Sequence, residues 1–247
     1  MKKKIFCFIP ARLKSTRLPN KMILKIKKKI LINYMYDICY KSNLINETYV
    51  ATCDKIIENI SKKNNAKVIL TNSKHKDCIS RVVEAVKKLK NRIKSTDYVL
   101  IVQGDEACVT SNILNKFCKI ILKNKKDYFN LISKIYSKND ILSSSIVKCA
   151  LNNNDEIIFM TRYPIPFNKN NFSNKIETFR QSGVIAFSKK ALLNYSKLKK
   201  NYFEKNESID MLRVLENNKN IQGYKVKKRM IGVDTLKDFK EIKKILN

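Results

Sequence analysis

Through the first half of the chain, short apolar runs alternate with amphipathic segments at regular spacing. The runs at residues 4–9, 47–51, 67–70 and 98–102 have the length of strands and are too short for buried helices. Between them, residues 30–40, 54–64, 81–89 and 113–122 carry apolar side chains at helical spacing, as with Ile30, Tyr34 and Ile38. Few folds satisfy such alternation: strands joined by crossover helices run parallel, and the helices cover both faces of the sheet. The expected class is therefore α/β with a mostly parallel central sheet, and ligands in that architecture bind beyond the carboxyl ends of the strands.

After residue 130 the pattern loosens. Residues 131–135, 146–150, 157–161 and 178–187 read as strands without regular crossover helices, and an Asn- and Lys-rich stretch at 167–175 reads as an exposed arm. Helices return at 189–198, 207–216 and 236–246, with a strand at 224–226. No internal repeat or linker divides the 247 residues. The expectation is one domain, 1–247, with a smaller β-rich insertion at about 130–187.

Charge is the most conspicuous compositional feature, with 52 Lys plus Arg against 21 Asp plus Glu and a formal net charge of +31. A nucleic-acid module concentrates Arg and aromatics on one element. Here the excess is lysine spread along the whole length among abundant Asn and Ile, a usage that an AT-rich coding sequence produces by itself. No specific nucleic-acid partner is expected, though a positive field of this size attracts nucleotide anions. The seven cysteines (Cys7, Cys39, Cys53, Cys78, Cys108, Cys118, Cys149) include no Cys-x-x-Cys pair and sit mostly in apolar runs. They read as reduced thiols of a cytoplasmic protein. The N-terminal apolar stretch stops at Pro10, too short for a signal-peptide core, and no run approaches a membrane span, so no membrane insertion is expected.

Three motifs carry chemistry. Directly after the first apolar run, residues 9–21 read Ile-Pro-Ala-Arg-Leu-Lys-Ser-Thr-Arg-Leu-Pro-Asn-Lys. Arg12, Lys14, Arg17 and Lys21, between two prolines and beside the hydroxyls of Ser15 and Thr16, suit a polyanion held against a sheet edge. The strand at 98–102 runs into Gln103-Gly104-Asp105-Glu106, which puts a carboxylate at the carboxyl end of a central strand. Far downstream, Gly232-Val233-Asp234-Thr235 offers a second Asp beside a Gly, next to a helix N-cap. Mg²⁺ takes one or two carboxylates from a protein and leaves its other positions to water and phosphate. The chain has only four glycines, and two of them flank these aspartates, which points to a constrained backbone there.

These motifs, with Arg162 before Ile165-Pro166 and Leu212-Arg213-Val214-Leu215 in the 207–216 segment, occur in an order that resembles the 3-deoxy-manno-octulosonate cytidylyltransferase (CMP-Kdo synthetase) family across essentially the whole chain. The resemblance implies a Rossmann-like nucleotidyltransferase fold and activation of an acidic sugar with CTP and Mg²⁺, commonly in a homodimer, for surface polysaccharide (lipopolysaccharide) synthesis. By motif position it places Pro10, Ala11, Arg12, Ser15, Arg17, Lys21, Thr71, His75 and Arg81 at the nucleotide, with Arg12 and Lys21 also catalytic. Asp105 and Asp234 fall on the metal positions. Gln103, Arg162, Gln181, Glu207 and Asp210 fall on the acceptor side, where a guanidinium suits a carboxylate. In the implied reaction an anomeric hydroxyl attacks the α-phosphorus of CTP in line and pyrophosphate leaves. No side-chain nucleophile is required and no protein general base is evident, so metal-assisted deprotonation of the hydroxyl is expected.

The chain departs from the family pattern at several places. Asn20 stands where Gly is usual, and Asn tolerates positive φ. Asp77-Cys78-Ile79 replaces Ser-Gly-Thr between His75 and Arg81. Gln181 replaces a His, Ala186 falls near a usual Tyr, and Asp210-Met211 replaces Glu-Gln. Such changes alter the pattern of hydroxyls a site accepts, so an amino-substituted (8-amino) octulosonate or a sialic-type acid is a second expectation for the acceptor. A sugar 1-phosphate nucleophile is a third reading, which the absence of a glycine-rich loop disfavours. A basic nucleic-acid-binding protein or a paralogue without turnover is the non-enzymatic alternative. His75, the only histidine, reads more readily as a loop or helix-start hydrogen bonder than as a catalyst, and Cys78 and Cys108 as packing residues.

Overall fold

The computed structural model describes residues 3–15, 17–167 and 177–246. Thr16 and nearly all of the Asn- and Lys-rich arm lie outside these residues. In chain order the described elements are β1 (Ile5–Ala11), β2 (Lys25–Ile26), β3 (Lys29–Ile30), α1 (Leu31–Tyr40), β4 (Glu47–Thr52), α2 (Lys55–Lys63) and β5 (Lys67–Leu70). Next come α3 (Cys78–Lys88), β6 (Tyr98–Val102), α4 (Ser111–Lys123), β7 (Tyr128–Lys134), α5 (Lys138–Leu142), β8 (Lys148–Leu151) and β9 (Glu156–Thr161). The remainder is β10 (Phe179–Ser188), α6 (Lys189–Tyr195), α7 (Tyr202–Glu207), α8 (Leu212–Glu216), β11 (Ile221–Val226) and α9 (Leu236–Leu246).

Nine strands form one sheet in the order β5-β4-β1-β6-β10-β7-β11-β9-β8. The regular half of the sequence builds its parallel half, β5, β4, β1 and β6. β10 then enters antiparallel to both β6 and β7, whereas β11 pairs parallel with β7. The segment at 130–187 thus contributes two interior strands of the main sheet, and its β8–β9 hairpin folds back so that β8 also pairs antiparallel with the start of β10.

Strand alternation sorts the core onto two faces. In β1, Ile5, Cys7, Ile9 and Ala11 pack with α1, α4 and α9, while Phe6 and Phe8 pack with α3 and α6 on the other side. Phe8 is wholly buried and stacks on Tyr49 at a centroid distance of 5.3 Å. Removing a ring from such a site costs about 3–5 kcal/mol, which shows how firmly the strand that launches the basic loop is held. Cys7, Cys39 and Cys118 lie in the first of these cores, and all seven cysteines are free thiols.

Three sequence expectations need correction. The basic loop leaves an interior strand, since β1 lies between β4 and β6, so it sits over the sheet's carboxyl end rather than at an edge. The helix expected at 207–216 is two short helices, α7 and α8, because Ser208 adopts a left-handed conformation with φ of 53° and ends the first. α3 starts at Cys78 rather than Arg81, because the Asp77 carboxylate accepts from Ser80 N–H at 2.6 Å and caps it.

Candidate active site

The basic loop is shaped by its own backbone. Leu13 N–H donates to the Asp54 carboxylate at 2.9 Å, and Asn20 N–H closes the loop onto the Leu13 carbonyl at 3.1 Å. Asn20 has φ of 58°, the left-handed conformation that its residue type permits. The loop forms one wall of a cleft of about 520 Å³ across the carboxyl ends of β1 and β6. Pro10, Ala11, Arg12, Ser15, Arg17, Lys21, His75, Arg81, Gln103, Asp105, Arg162, Gln181, Asp210 and Asp234 all line it.

Asp105 and Asp234, 129 residues apart in sequence, meet at one cation. The Lys21 ammonium donates to both carboxylates, to Asp234 at 3.2 Å, and Arg17 pairs with Asp234 at 3.0 Å. Burial works to lower the Lys21 pKa, but Asp105 and then Asp234 outweigh it and the net shift is upward. The two turns are fastened by Val233 N–H donating to the Asp105 carbonyl at 2.9 Å. Behind Asp234, Thr235 and Asp238 exchange hydrogen bonds at 2.8 and 3.2 Å in a capping arrangement that starts α9. The glycines beside these aspartates do not adopt positive φ. At Gly104 a Cβ would lie 2.7 Å from the Met22 sulfur, so the close approach there is to packing, whereas at Gly232 a Cβ would only make an ordinary contact with the Asp105 carbonyl at 3.8 Å.

Two carboxylates that share one cation, with only oxygen donors, fit what a hard divalent ion requires. No group of three or more His, Cys, Asp or Glu side chains is disposed to hold a metal among the described residues. An ion at this pair would therefore draw its remaining ligands from water or phosphate.

The other expected residues divide into those that face the cleft and those that support it. Thr71 is buried and accepts from Arg81 at 2.6 Å, so it orients Arg81. Glu207 does not line the cleft. Its carboxylate accepts from the Thr161 hydroxyl at 2.5 Å and from Arg162 N–H at 2.8 Å, and its carbonyl accepts from Arg162 Nε at 2.8 Å. Arg162 also donates Nη1 to the Ser144 carbonyl at 2.9 Å. His75 lies between the Ser80 hydroxyl at 3.2 Å and the Glu84 carboxylate at 2.5 Å, the structural role its context predicts. Gln181 donates to the Asn130 side chain at 2.8 Å. Ala186 is buried in the core, and its neighbour Ile185 faces the cleft instead.

Among the described residues the Asp210 carboxylate accepts only a long contact of 3.7 Å from the Cys78 thiol, and Gln103 in turn donates to that sulfur at 3.3 Å. Burial, then the charges of Asp77 and Glu204, push the Asp210 carboxyl up to about 6. Burial also raises the Cys78 thiol, which disfavours thiolate chemistry. Beside Arg162, Lys148 is fully buried and donates to the carbonyls of Ser143, Ile146 and Arg162 at 2.6, 2.9 and 2.7 Å. Burial and then Arg162 lower its pKa to about 8.

Sequence reasoning missed Arg180 and Glu106 as cleft residues. Arg180 sits in β10 just before the bulge between Gln181 and Ile185, and the polar run Arg180-Gln181-Ser182 opening a strand whose later part is apolar was the available signal. Glu106 accepts from Gly183 N–H at 2.5 Å. Burial and then Asp105 push its carboxyl up to about 6.

A basic loop after the first strand, faced by two convergent carboxylates in a Rossmann-like sheet, defines a nucleotidyltransferase. Residues 6–221 match the cytidylyltransferase family model. A 3-deoxy-manno-octulosonate cytidylyltransferase of Francisella tularensis subsp. tularensis (strain FSC 198) is 34% identical over 255 residues, covering 98% of each chain. Another, from Thermodesulfovibrio yellowstonii, is 30% identical over 249 residues, covering 98% of this chain and 97% of the relative. A solved CMP:2-keto-3-deoxy-manno-octonic acid synthetase complexed with CTP superposes with a TM-score of 0.88 at 27% identity over 98% of both chains. The chain belongs to the 3-deoxy-manno-octulosonate cytidylyltransferase family.

Proposed function

We propose that the protein transfers CMP from CTP to the anomeric hydroxyl of 3-deoxy-manno-octulosonate, releases pyrophosphate and uses Mg²⁺. The observation that carries this reading is the meeting of Asp105 and Asp234 at one cation beside the basic loop, in a chain of this family.

In the reaction, a bond forms between the acceptor hydroxyl oxygen and the α-phosphorus as the α–β bridging bond breaks, and the attacking and leaving oxygens remain in line. The chain's part is positioning and charge. Arg12, Lys14, Arg17 and Lys21 gather the triphosphate over the carboxyl end of β1, and Arg81, oriented by Thr71, borders the same region. Lys21 and Arg17 neutralise Asp105 and Asp234 here, and they are the same cations a triphosphate engages. Asp105 and Asp234 would hold Mg²⁺, which when bound supplies charge neutralisation for the pyrophosphate leaving group. Gln103, Gln181 and Asp210 border the acceptor, while Glu207 and Lys148 hold Arg162 and the adjoining turn in place.

Exchanging Asp105 for Asn keeps shape and hydrogen bonding but removes one carboxylate charge. Mg²⁺-dependent pyrophosphate release should fall by about 100-fold or more, by analogy with the loss of one preorganised electrostatic contact, with the thermal transition retained. Wild-type rates in D105N would contradict the metal assignment.

A homodimer in the cytoplasm, serving surface polysaccharide synthesis, completes the reading. Ile158 of β9 and Tyr163, just beyond its end, are 59% and 77% exposed on the β8–β9 hairpin side, the kind of apolar surface a second copy covers. A sedimentation mass of one protomer at micromolar concentration would contradict the dimer. No helix among the described residues is long and apolar enough to cross a membrane.

A further inference from the structure

The cleft's guanidiniums are not equally committed. Arg17 is paired with Asp234, Arg81 donates to Thr71, and Arg162 spends Nε and Nη1 on two backbone carbonyls. Arg12 reaches the Lys76 carbonyl at 3.5 Å. The Arg180 side chain has no hydrogen bond or ion pair to any described residue, and its Nε is buried without an acceptor. Glu106 stands opposite in charge beside it, and its Oε2 is likewise buried without a donor. The Ser182 hydroxyl, close enough to Glu106 to favour its charged form, is also buried without a partner at full hydrogen-bond geometry, so this one stretch of wall holds half of the six such buried side-chain atoms among the described residues. Native interiors leave few polar atoms in that state, and those left call for an explanation.

A free guanidinium next to a free carboxylate oxygen is a specific donor and acceptor pattern. It suits a ligand that presents an anion and a hydroxyl from one carbon. The anomeric carbon of a 2-keto sugar acid in its cyclic form bears a carboxylate and the hydroxyl that attacks phosphorus. Arg162, the arginine that sequence reasoning would assign to this carboxylate, already spends two N–H donors on backbone carbonyls, whereas the Arg180 side chain spends none on any described residue.

We infer that Arg180 and Glu106 form the subsite for the hydroxy-acid head of the acceptor, Arg180 binding the carboxylate and Glu106 Oε2 accepting from the adjacent hydroxyl. The inference rests on the cytidylyltransferase reading. It makes Arg162 a support of the pocket wall and Arg180 the residue that selects an acid over a neutral sugar. Gly183, whose N–H holds the other Glu106 oxygen, keeps the pair in register with the β10 bulge.

The test measures KM for Kdo and for CTP separately, with Mg²⁺, in the wild type, R180M, R180K and E106Q. R180M should raise the Kdo KM by at least about 10-fold, the scale of a lost charged hydrogen bond, and leave the CTP KM within about twofold. R180K, which keeps the charge without the planar fork, should fall between R180M and wild type. E106Q should impair use of Kdo without moving the CTP KM. Equal shifts in both KM values, or an unchanged Kdo KM in R180M, would overturn the inference while the function stands. A wild type that does not turn over Kdo would instead overturn the reading beneath it. If R180M fails to fold, the R180K comparison decides alone: an unchanged Kdo KM overturns the inference.

Discussion

Asp210 shows at the scale of one residue how a binding wall is held at a cost. Its ordinary pKa is 3.8 and its folded value is about 6, raised by burial and then by Asp77 and Glu204. The folded protein therefore holds more protons than the unfolded chain between those values, so stability falls as pH rises from about 3.8 to 6 and the penalty is complete above. D210N removes the charge and nearly preserves shape. At pH 7 it should raise unfolding stability by about 1–3 kcal/mol, with no gain near pH 3, while weakening use of the acceptor. A variant less stable than wild type at pH 7 would contradict this account of Asp210. The neighbouring Asp77 illustrates the limit of motif reading: it breaks the family pattern beside His75, and its role as the cap of α3 emerges only from the geometry.

At the scale of elements, the clearest sequence signals were the buried parallel strands. Residues 98–102 were legible because a strand covered on both faces has an uninterrupted apolar run, and they match β6 in full, whereas residues 67–70 match β5, a partly buried edge strand, through the short apolar run Val68-Ile69-Leu70. β2, β3 and α5 escaped notice because two- and five-residue elements carry no period to detect. The division of α7 from α8 escaped for a different reason: Ser208 has no residue-type mark for a left-handed backbone. Ion pairs are equally invisible in sequence. Glu47, at the start of β4, joins Lys67 of β5 and Arg92 of the turn after α3 at 2.6 and 2.7 Å. Burial alone would raise its carboxyl, but hydrogen bonds from Arg92, then Lys67 and Tyr49, prevail and lower it from 4.5 to about 2. Its contribution is thus present above pH 4.5 and lost as pH falls through about 2. In E47Q, acid unfolding monitored by circular dichroism should show a shallower decline across that window; an identical acid limb would contradict the linkage.

For the whole molecule, the order of motifs was more informative than composition. A net charge of +31 is compatible with many partners, whereas the basic loop, the two aspartate turns and the arginine at 162 are informative because the fold must bring them to one end of one sheet. It does so for Arg12, Lys21, Asp105, Arg162 and Asp234. Sequence order could not reveal which cleft arginine is free, since that depends on backbone carbonyls of residues 144 and 207 reaching Arg162 and on none of the described residues reaching the Arg180 side chain. The same geometry shows Glu207 and Thr71 bonded to the cleft arginines Arg162 and Arg81. The most direct test of the central claim is mass spectrometry of the product formed from CTP, Kdo and Mg²⁺, with pyrophosphate measured in parallel. The account predicts CMP-Kdo and pyrophosphate in equal amounts; intact CTP binding with neither product formed would contradict it.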